Sequence, residues 1–411
     1  MGLIYNIGIY FYQLGIFVFS FFNEKTRKLR AGQAEAFAVL KERVDPNARY
    51  IWFHAASLGE FEQGRPVMEQ LKKDNPDTKI LLTFFSPSGY EIRKNFTGAD
   101  IVSYLPLDTP WAARKFVKGI NLSKAIFIKY EFWPNYLMAL KAVNVPIYSI
   151  SAIFRPSQLF FKVYGGWYRN LLKSFTHIFV QDQASKDLLA KYNFSNVSVA
   201  GDTRFDRVAD VAKKAKSIPL IEAFVKGGKK TIVAGSSWPN DEELLIRYQK
   251  EHANVKLILV PHETHEAHIS GIEKLLETDY IRYTQANETT IQQVNCLIVD
   301  TIGLLSSIYR YASVAYIGGG FGVGIHNTLE AAVWNVPVVF GSNYKRFREA
   351  RKLITVGGGF SITNYEELEI NLDNLLIDKQ AGQLAGEFVQ KNTGATELII
   401  KEICPLNPPK R

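Results

Sequence analysis

From Met1 to Asn23 the chain carries no charged side chain. The run LIYNIGIYFYQLGIFVFSFF within it is about long enough to cross a bilayer as a helix. Its polar Asn6 and Gln13 and its many aromatics equally allow a helix lying among lipid headgroups. A hydrophobic helix packed on the protein's own core is the third possibility. Lys25, Arg27, Lys28 and Arg30 follow the segment and no basic residue precedes it. That asymmetry places the following body on the cytoplasmic side. A cleaved signal peptide would carry its basic residues in front.

Beyond this segment, strand-like runs alternate with helix-like ones. The first series is Tyr50 to Ala55, Lys79 to Phe85, Asp100 to Pro106, Ala125 to Tyr130, Val145 to Ile150, Thr176 to Val180 and Asn196 to Gly201. Most of these runs are continuously apolar, as expected of strands buried on both faces of a parallel sheet. A basic connector, VAKKAKSIPLIEAFVKGGKK, interrupts the pattern, which then restarts at Thr231 to Ser237, Val255 to Pro261, Cys296 to Asp300, Ser313 to Gly320 and Val336 to Gly341. The pattern predicts an α/β protein of two Rossmann-like, doubly wound domains facing each other across a cleft and joined near Asp206 to Ser217. The expected division is a hydrophobic anchor over 1–23, one domain over 24–206 and a second over 207–411.

Length and composition agree with two folded domains: 411 residues, 47% hydrophobic and 22% charged, with no low-complexity tract. The 49 Lys and Arg against 40 Asp and Glu favour anionic partners such as nucleotides, nucleic acid or acidic lipid. Cys296 and Cys404 have no spacing that suggests a zinc or redox motif.

In open α/β sheets, ligands bind beyond the carboxyl ends of the strands, and two carboxylates stand there in the first series. Glu60, in WFHAASLGE, follows small residues that let a ligand approach the backbone. Ser57 and Glu60 also have the spacing of a helix capping box. Glu131, in IFIKYEFWPN, is less easily explained as a cap. Two such carboxylates could serve as a general base and as a stabiliser of developing positive charge. Between Glu131 and Asp182, where no acid occurs, Lys141, Arg155, Lys162, Arg169 and Lys173 are interleaved with Phe154, Phe160, Phe161, Tyr164, Trp167, Tyr168 and Phe175. Such a stretch suits an anionic amphiphile or a membrane face. It equally suits core aromatics with solvated cations. No nucleic-acid motif is present.

In the second series, AYIGGGFGVGIHNTLEAAVW reads as strand, glycine-rich loop and helix, a natural cradle for phosphate. Its glycines do not fit G-x-G-x-x-G, and the next strand ends in Gly341 where a dinucleotide site would place an acid, which argues against NAD. Asn327 and Glu330 stand at the helix start, either as ribose contacts or as a local polar pair. The loop GSSWPNDEE offers Ser236 and Ser237 as hydroxyl donors. His262, His265 and His268 in PHETHEAH match no metal spacing, so no metal is expected, and His262 is the candidate nucleotide contact.

SLGE, LPLD, KYEFWPN, GDTRFD, the GSS loop, VPH, DTIGLL and HNTLEAA, in this order behind a hydrophobic segment, resemble the Kdo transferases of lipopolysaccharide assembly over essentially the whole chain. The resemblance implies a GT-B glycosyltransferase that transfers 3-deoxy-D-manno-octulosonic acid (Kdo) from CMP-Kdo to the lipid A precursor, with inversion and without an active-site metal or other cofactor. It implies a place at the cytoplasmic side of the inner membrane, with CMP-Kdo, the lipid A precursor and the anionic membrane surface as partners and no nucleic acid. By that resemblance Glu60 is the general base, Glu131 the second acid and Arg204 the basic residue of the site. CMP contacts then fall on Pro261 and His262, on Ile302, Gly303 and Leu304, and on Asn327, Thr328, Leu329 and Glu330, with Ser236 and Ser237 in the neighbouring loop. Many members read P-R-H where this chain has Pro261-His262-Glu263. The alternatives are another GT-B enzyme, such as a nucleotide-sugar epimerase, and a non-catalytic nucleotide binder at the membrane surface.

Overall fold

The structure is a computed structural model that describes residues 2–404. Residue 1 and residues 405–411, which the sequence reading placed in the first and last segments, lie outside them. The chain divides into two compact units, one running up to Asp206 and resuming at Thr393, the other Arg207–Asn392. The division differs from the sequence reading at the end of the chain, which the reading gave to the second domain. The helix Ala395–Ile403 packs with the first unit, because Ile399 and Ile403 are fully buried among that unit's side chains. Asp206 accepts from the amides of Gly394 and Thr396 at 2.6 and 2.7 Å.

The first unit holds seven strands, β1 (Tyr50–Ala55), β2 (Lys79–Phe84), β3 (Ile101–Tyr104), β4 (Leu122–Ile128), β5 (Ile147–Ala152), β6 (His177–Val180) and β7 (Val197–Val199). They form one parallel sheet in the order β3-β2-β1-β4-β5-β6-β7. Every residue of β1 is buried, as a central strand covered on both faces requires. Trp52 on β1 packs against Phe116, Phe127 and Tyr136, with ring centroids 4.7, 5.1 and 5.5 Å away. The order reverses between β1 and β4. Such a reversal opens a crevice at the carboxyl ends of the two strands.

The second unit repeats the plan with β8 (Lys230–Ser237), β9 (Val255–Pro261), β10 (Tyr280–Arg282), β11 (Cys296–Ile298), β12 (Val314–Ile317), β13 (Val338–Gly341) and β14 (Gly359–Ile362), in the order β10-β11-β9-β8-β12-β13-β14. Its reversal lies between β8 and β12. The edge strands β10 and β14 are the two that the sequence pattern did not predict. Each has only three or four residues, and their burial is broken by partly exposed positions, so neither forms a continuous apolar run.

The N-terminal segment forms helix α1 (Gly2–Phe19), followed by α2 (Glu24–Arg43). By length and composition α1 is apolar enough to cross a membrane. In the fold one stripe of it docks on the first unit, where Ile9 and Ile16 are buried with Leu29, Ala36, Tyr104 and Leu107. Spacings of three and four residues put Tyr5, Ile9, Tyr12 and Ile16 on one side of a helix. Leu3, Ile4, Ile7, Phe11 and Leu14 stay exposed, as do Phe21 and Phe22 beyond its end. This apolar helix points to membrane association.

The docked stripe is fastened by a polar knot around Asp108. Its carboxylate accepts from the Tyr5 hydroxyl at 2.8 Å and from the amides of Asn135 and Tyr136 at 3.1 and 3.0 Å. Those two amides open the helix Pro134–Ala142, so Asp108 satisfies donors that a helix start leaves unpaired. Asn135 also donates to Asn6 Oδ1 at 2.9 Å. Burial pushes the Asp108 carboxyl up to about 7 against the pull of these donors.

The basic and aromatic stretch resolves mostly into core. Phe154, Phe161 and Phe175 are buried, with Phe132, Phe160, Trp167 and Tyr168 packed against them. Arg169 is turned inward, donating to the carbonyls of Phe160 and Lys162. Tyr164 and the neighbouring Val163 remain outside, together with Lys141, Arg155, Lys162 and Lys173.

Candidate active site

Glu60 and Glu131 stand beyond the carboxyl ends of β1 and β4, the two strands between which the first sheet reverses. Glu60 lies in the first turn of α3 (Leu58–Asp74), directly after the β1 turn. The capping box suggested by the spacing is not formed, because the Ser57 side chain makes no cap hydrogen bond. Its hydroxyl instead donates to Glu60 Oε2 at 2.8 Å. Glu60 is thus oriented by Ser57 and remains partly exposed.

Glu131 follows Lys129, which takes a positive φ of 60° and turns the chain sharply off β4. The Trp133 indole donates to Glu131 Oε2 at 2.9 Å and also faces His54 Nε2 at 3.1 Å. Glu131 Oε2 lies 3.5 Å from the same imidazole nitrogen. Phe85 packs on Trp133 with centroids 4.9 Å apart, and Tyr12 of α1 stacks on Phe85 at 6.3 Å. The docked helix therefore touches Phe85, which backs the indole that holds Glu131.

Arg204 opens the helix Arg204–Lys214. Its guanidinium grips Asp202, with Nη2 2.7 Å and Nε 3.0 Å from Oδ2. Gln63 of α3 donates to the same carboxylate at 3.2 Å. Burial alone would raise the Asp202 carboxyl, but Arg204 and these donors outweigh it and hold the group below its usual range. The cation is thereby braced, with part of its side chain exposed.

In the second unit the turns after β8 and β12, the strands flanking the reversal, are locked together. Asp241 accepts from the Tyr316 hydroxyl and the Gly319 amide, each at 2.8 Å, and from the Trp238 amide at 3.0 Å. Burial raises its carboxyl above the ordinary value. A Cβ on Gly320 would lie 2.5 Å from the Gly341 backbone. Backbone contact of this kind explains why β13 ends in glycine. Ser236 takes a φ of 52°, while the Ser237 hydroxyl is turned inward to Glu242 at 2.8 Å.

Three rings stack beside these turns. His262 lies 4.9 Å from Trp238 and 4.5 Å from His326 between centroids. Burial, with His262 beside it, pushes the His326 imidazole down to about 4. It is therefore neutral near pH 7 and accepts from the Trp238 indole at 3.3 Å. Asn327 donates to Glu330 Oε1 at 3.0 Å, so the polar pair read from the sequence exists as a pair. The other oxygen of Glu330 accepts from Ser306 at 2.6 Å. That bond ties the helix start to the turn carrying Ile302, Gly303 and Leu304, in which Gly303 has a φ of 91°. Thr328 is buried, and among the described residues its hydroxyl has no hydrogen-bond partner. Leu329 is core, as is Pro261 at the end of β9.

The histidine cluster is dispersed among other roles. His265 caps the helix Glu266–Leu276 and His268 pairs with Glu242 at 2.9 Å. Among the described residues no three His, Cys, Asp or Glu form a group that could hold a metal ion. Sequence reasoning passed over His54, Trp238, His326 and Ser306. Only His54 carried a signal, as a polar residue inside an apolar strand.

Residues 28–207 match the family model for 3-deoxy-D-manno-octulosonic-acid transferase (kdotransferase). The chain is 29% identical to the 3-deoxy-D-manno-octulosonic acid transferase of Aquifex aeolicus over 83% of its own length and 92% of that protein's. Identity to the enzyme of the same name from Haemophilus influenzae is 25%, over 93% and 92% of the two chains. A solved UDP-GlcNAc 2-epimerase from Neisseria meningitidis aligns with a TM-score of 0.62 at 14% identity, covering 87% of this chain and 99% of that one. The last similarity is one of fold, in the two-unit α/β class of GT-B proteins.

Proposed function

We propose that this chain, which is similar to proteins named as Kdo transferases, is a glycosyltransferase that moves Kdo from CMP-Kdo to the lipid A precursor with inversion at the anomeric carbon. The observation that supports this reading is the pair of carboxylates at the β1 and β4 strand ends, each oriented by its own donor. Glu60 takes the proton from the acceptor hydroxyl as that oxygen attacks the anomeric carbon. The bond from that carbon to the CMP phosphate oxygen breaks, and the electron pair leaves with CMP. Positive charge that develops on the sugar is met by Glu131. Arg204, braced by Asp202, supplies the cation that offsets the charge of the leaving phosphate.

The nucleotide is assigned to the second unit. His262 and the turn at Ile302, Gly303 and Leu304 present exposed surface there, and Thr328 offers a hydroxyl with no partner among the described residues. Ser236, Asn327 and Glu330 complete the wall, while the buried Pro261, Leu329 and Ser237 shape it from behind. No bound cofactor is assigned. The exposed apolar side of α1, next to the basic residues of α2, supports attachment to the cytoplasmic face of the inner membrane, where anionic lipid attracts Lys and Arg.

The test is incubation with freshly generated CMP-Kdo and tetraacylated lipid A precursor, with products followed by mass. Addition of one or more Kdo units is expected. Failure to transfer, together with epimerisation of a soluble nucleotide sugar, would hand the assignment to the epimerase alternative.

A further inference from the structure

His54 is fully buried in the middle of the sheet, and both of its ring nitrogens are engaged. Nδ1 lies 2.9 Å from Thr83 Oγ1 and 3.2 Å from the Thr83 carbonyl oxygen on β2. That hydroxyl already accepts from the Trp52 indole at 2.8 Å. A carbonyl can only accept, so Nδ1 carries a ring proton, and Nε2 is left to accept from the donor that faces it. An indole N–H can only donate, and the Trp133 N–H meets Nε2 at 3.1 Å while also reaching Glu131 Oε2 at 2.9 Å. Thr83, His54, Trp133 and Glu131 therefore form one ordered chain of hydrogen bonds, from β2 through β1 to the turn after β4. Glu131 Oε1 takes no part in it and has no hydrogen bond among the described residues.

We propose that His54 is a positioning residue for the transfer reaction. It fixes the Trp133 indole, and the indole fixes Glu131 with Oε2 held and Oε1 directed to the reacting sugar. This rests on the reading of Glu131 as an acid of the site. A histidine serving only as core filler would need a partner for Nδ1. It would not need its second nitrogen to share a donor with a partly exposed carboxylate. Glu131 sits on a turn with no regular backbone pairing of its own, so without the fork its carboxylate has rotamers to choose among. Misplacement by about 1 Å can reduce a rate on the order of 10²-fold.

The experiment separates the two nitrogens. His54→Gln puts a carbonyl oxygen near the place of Nε2 and can still accept from Trp133. His54→Asn reaches only the place of Nδ1 and can serve only Thr83. Kdo transfer is measured for both, for Trp133→Phe, and for Glu131→Gln. Retention of kcat within about fivefold by His54→Gln is expected, with a loss of about 10²-fold in His54→Asn and in Trp133→Phe at unchanged KM for CMP-Kdo. The double variant His54→Asn/Trp133→Phe should be no worse than either single one, because both cut the same chain. Equal activity of the Asn and Gln variants, in proteins with the wild-type melting temperature, would overturn the proposal. Should both histidine variants fail to fold, a wild-type kcat in Trp133→Phe overturns it. If Glu131→Gln itself transfers at the wild-type rate, the role of Glu131 is what fails.

Discussion

Asp108 sets burial against hydrogen bonding in a way that a pH series can read. The side chain is buried, and desolvation raises its carboxyl from the ordinary 3.8 to about 7, although Tyr5, Asn135 and Tyr136 all donate to it. A carboxyl whose pKa is higher in the folded state binds its proton more tightly there, so the fold is favoured while the group is protonated. That contribution is full below about 4 and is lost as pH rises through about 7. A difference of about three pKa units corresponds to on the order of 4 kcal/mol. Asp108→Asn reproduces the neutral acid, which likewise keeps one full acceptor oxygen. The assay is urea denaturation in mild detergent from pH 4.5 to 8, followed through the tryptophans of the first unit. The stability of the wild type relative to Asp108→Asn should fall as pH rises across this window. A relative stability that instead rises between pH 4.5 and 7 would show that the three donors outweigh burial, and would refute the reasoning.

Two further outcomes follow from the geometry. Replacing the exposed Phe11 and Leu14 of α1 by Glu should weaken binding to anionic vesicles by more than about 10²-fold, since each side chain contributes roughly 1.5–3 kcal/mol when buried in an apolar phase; unchanged sedimentation with vesicles would dismiss α1 as the membrane contact. Gly320→Ala, whose Cβ would meet the Gly341 backbone at 2.5 Å, should destabilise the second unit by about 3 kcal/mol, whereas Gly322→Ala, with nothing within 4 Å, should be near neutral in the same melting experiment.

The sheets were legible because parallel strands covered on both faces leave continuous apolar runs, and β1 and β9 begin and end where their runs do. Short edge strands leave no such run, which is why β10 and β14 escaped. The aromatic stretch after Glu131 was ambiguous for a related reason. Composition gives aromatics and cations together, but only packing decides that Phe154 and Phe175 face inward while Lys162 faces water. Positions of Glu60 and Glu131 at strand ends could be read from the pattern. The groups that orient them could not, since Trp133 to His54 and Tyr5 to Asp108 are contacts between residues 79 and 103 positions apart. Ser57 lies close in sequence to Glu60, yet its spacing favoured a helix cap and its hydroxyl serves the carboxylate instead.

The central claim is that Glu60 removes the acceptor proton during transfer. Its most direct test is the single-turnover rate of Kdo transfer by Glu60→Gln, at saturating CMP-Kdo and lipid A precursor, against that of the wild type. Glutamine keeps the size of the side chain and a hydrogen bond from Ser57 but cannot take a proton. The account predicts a folded protein that binds CMP-Kdo normally and transfers about 10²- to 10⁴-fold more slowly. A Glu60→Gln protein that transfers Kdo at the wild-type rate would contradict it.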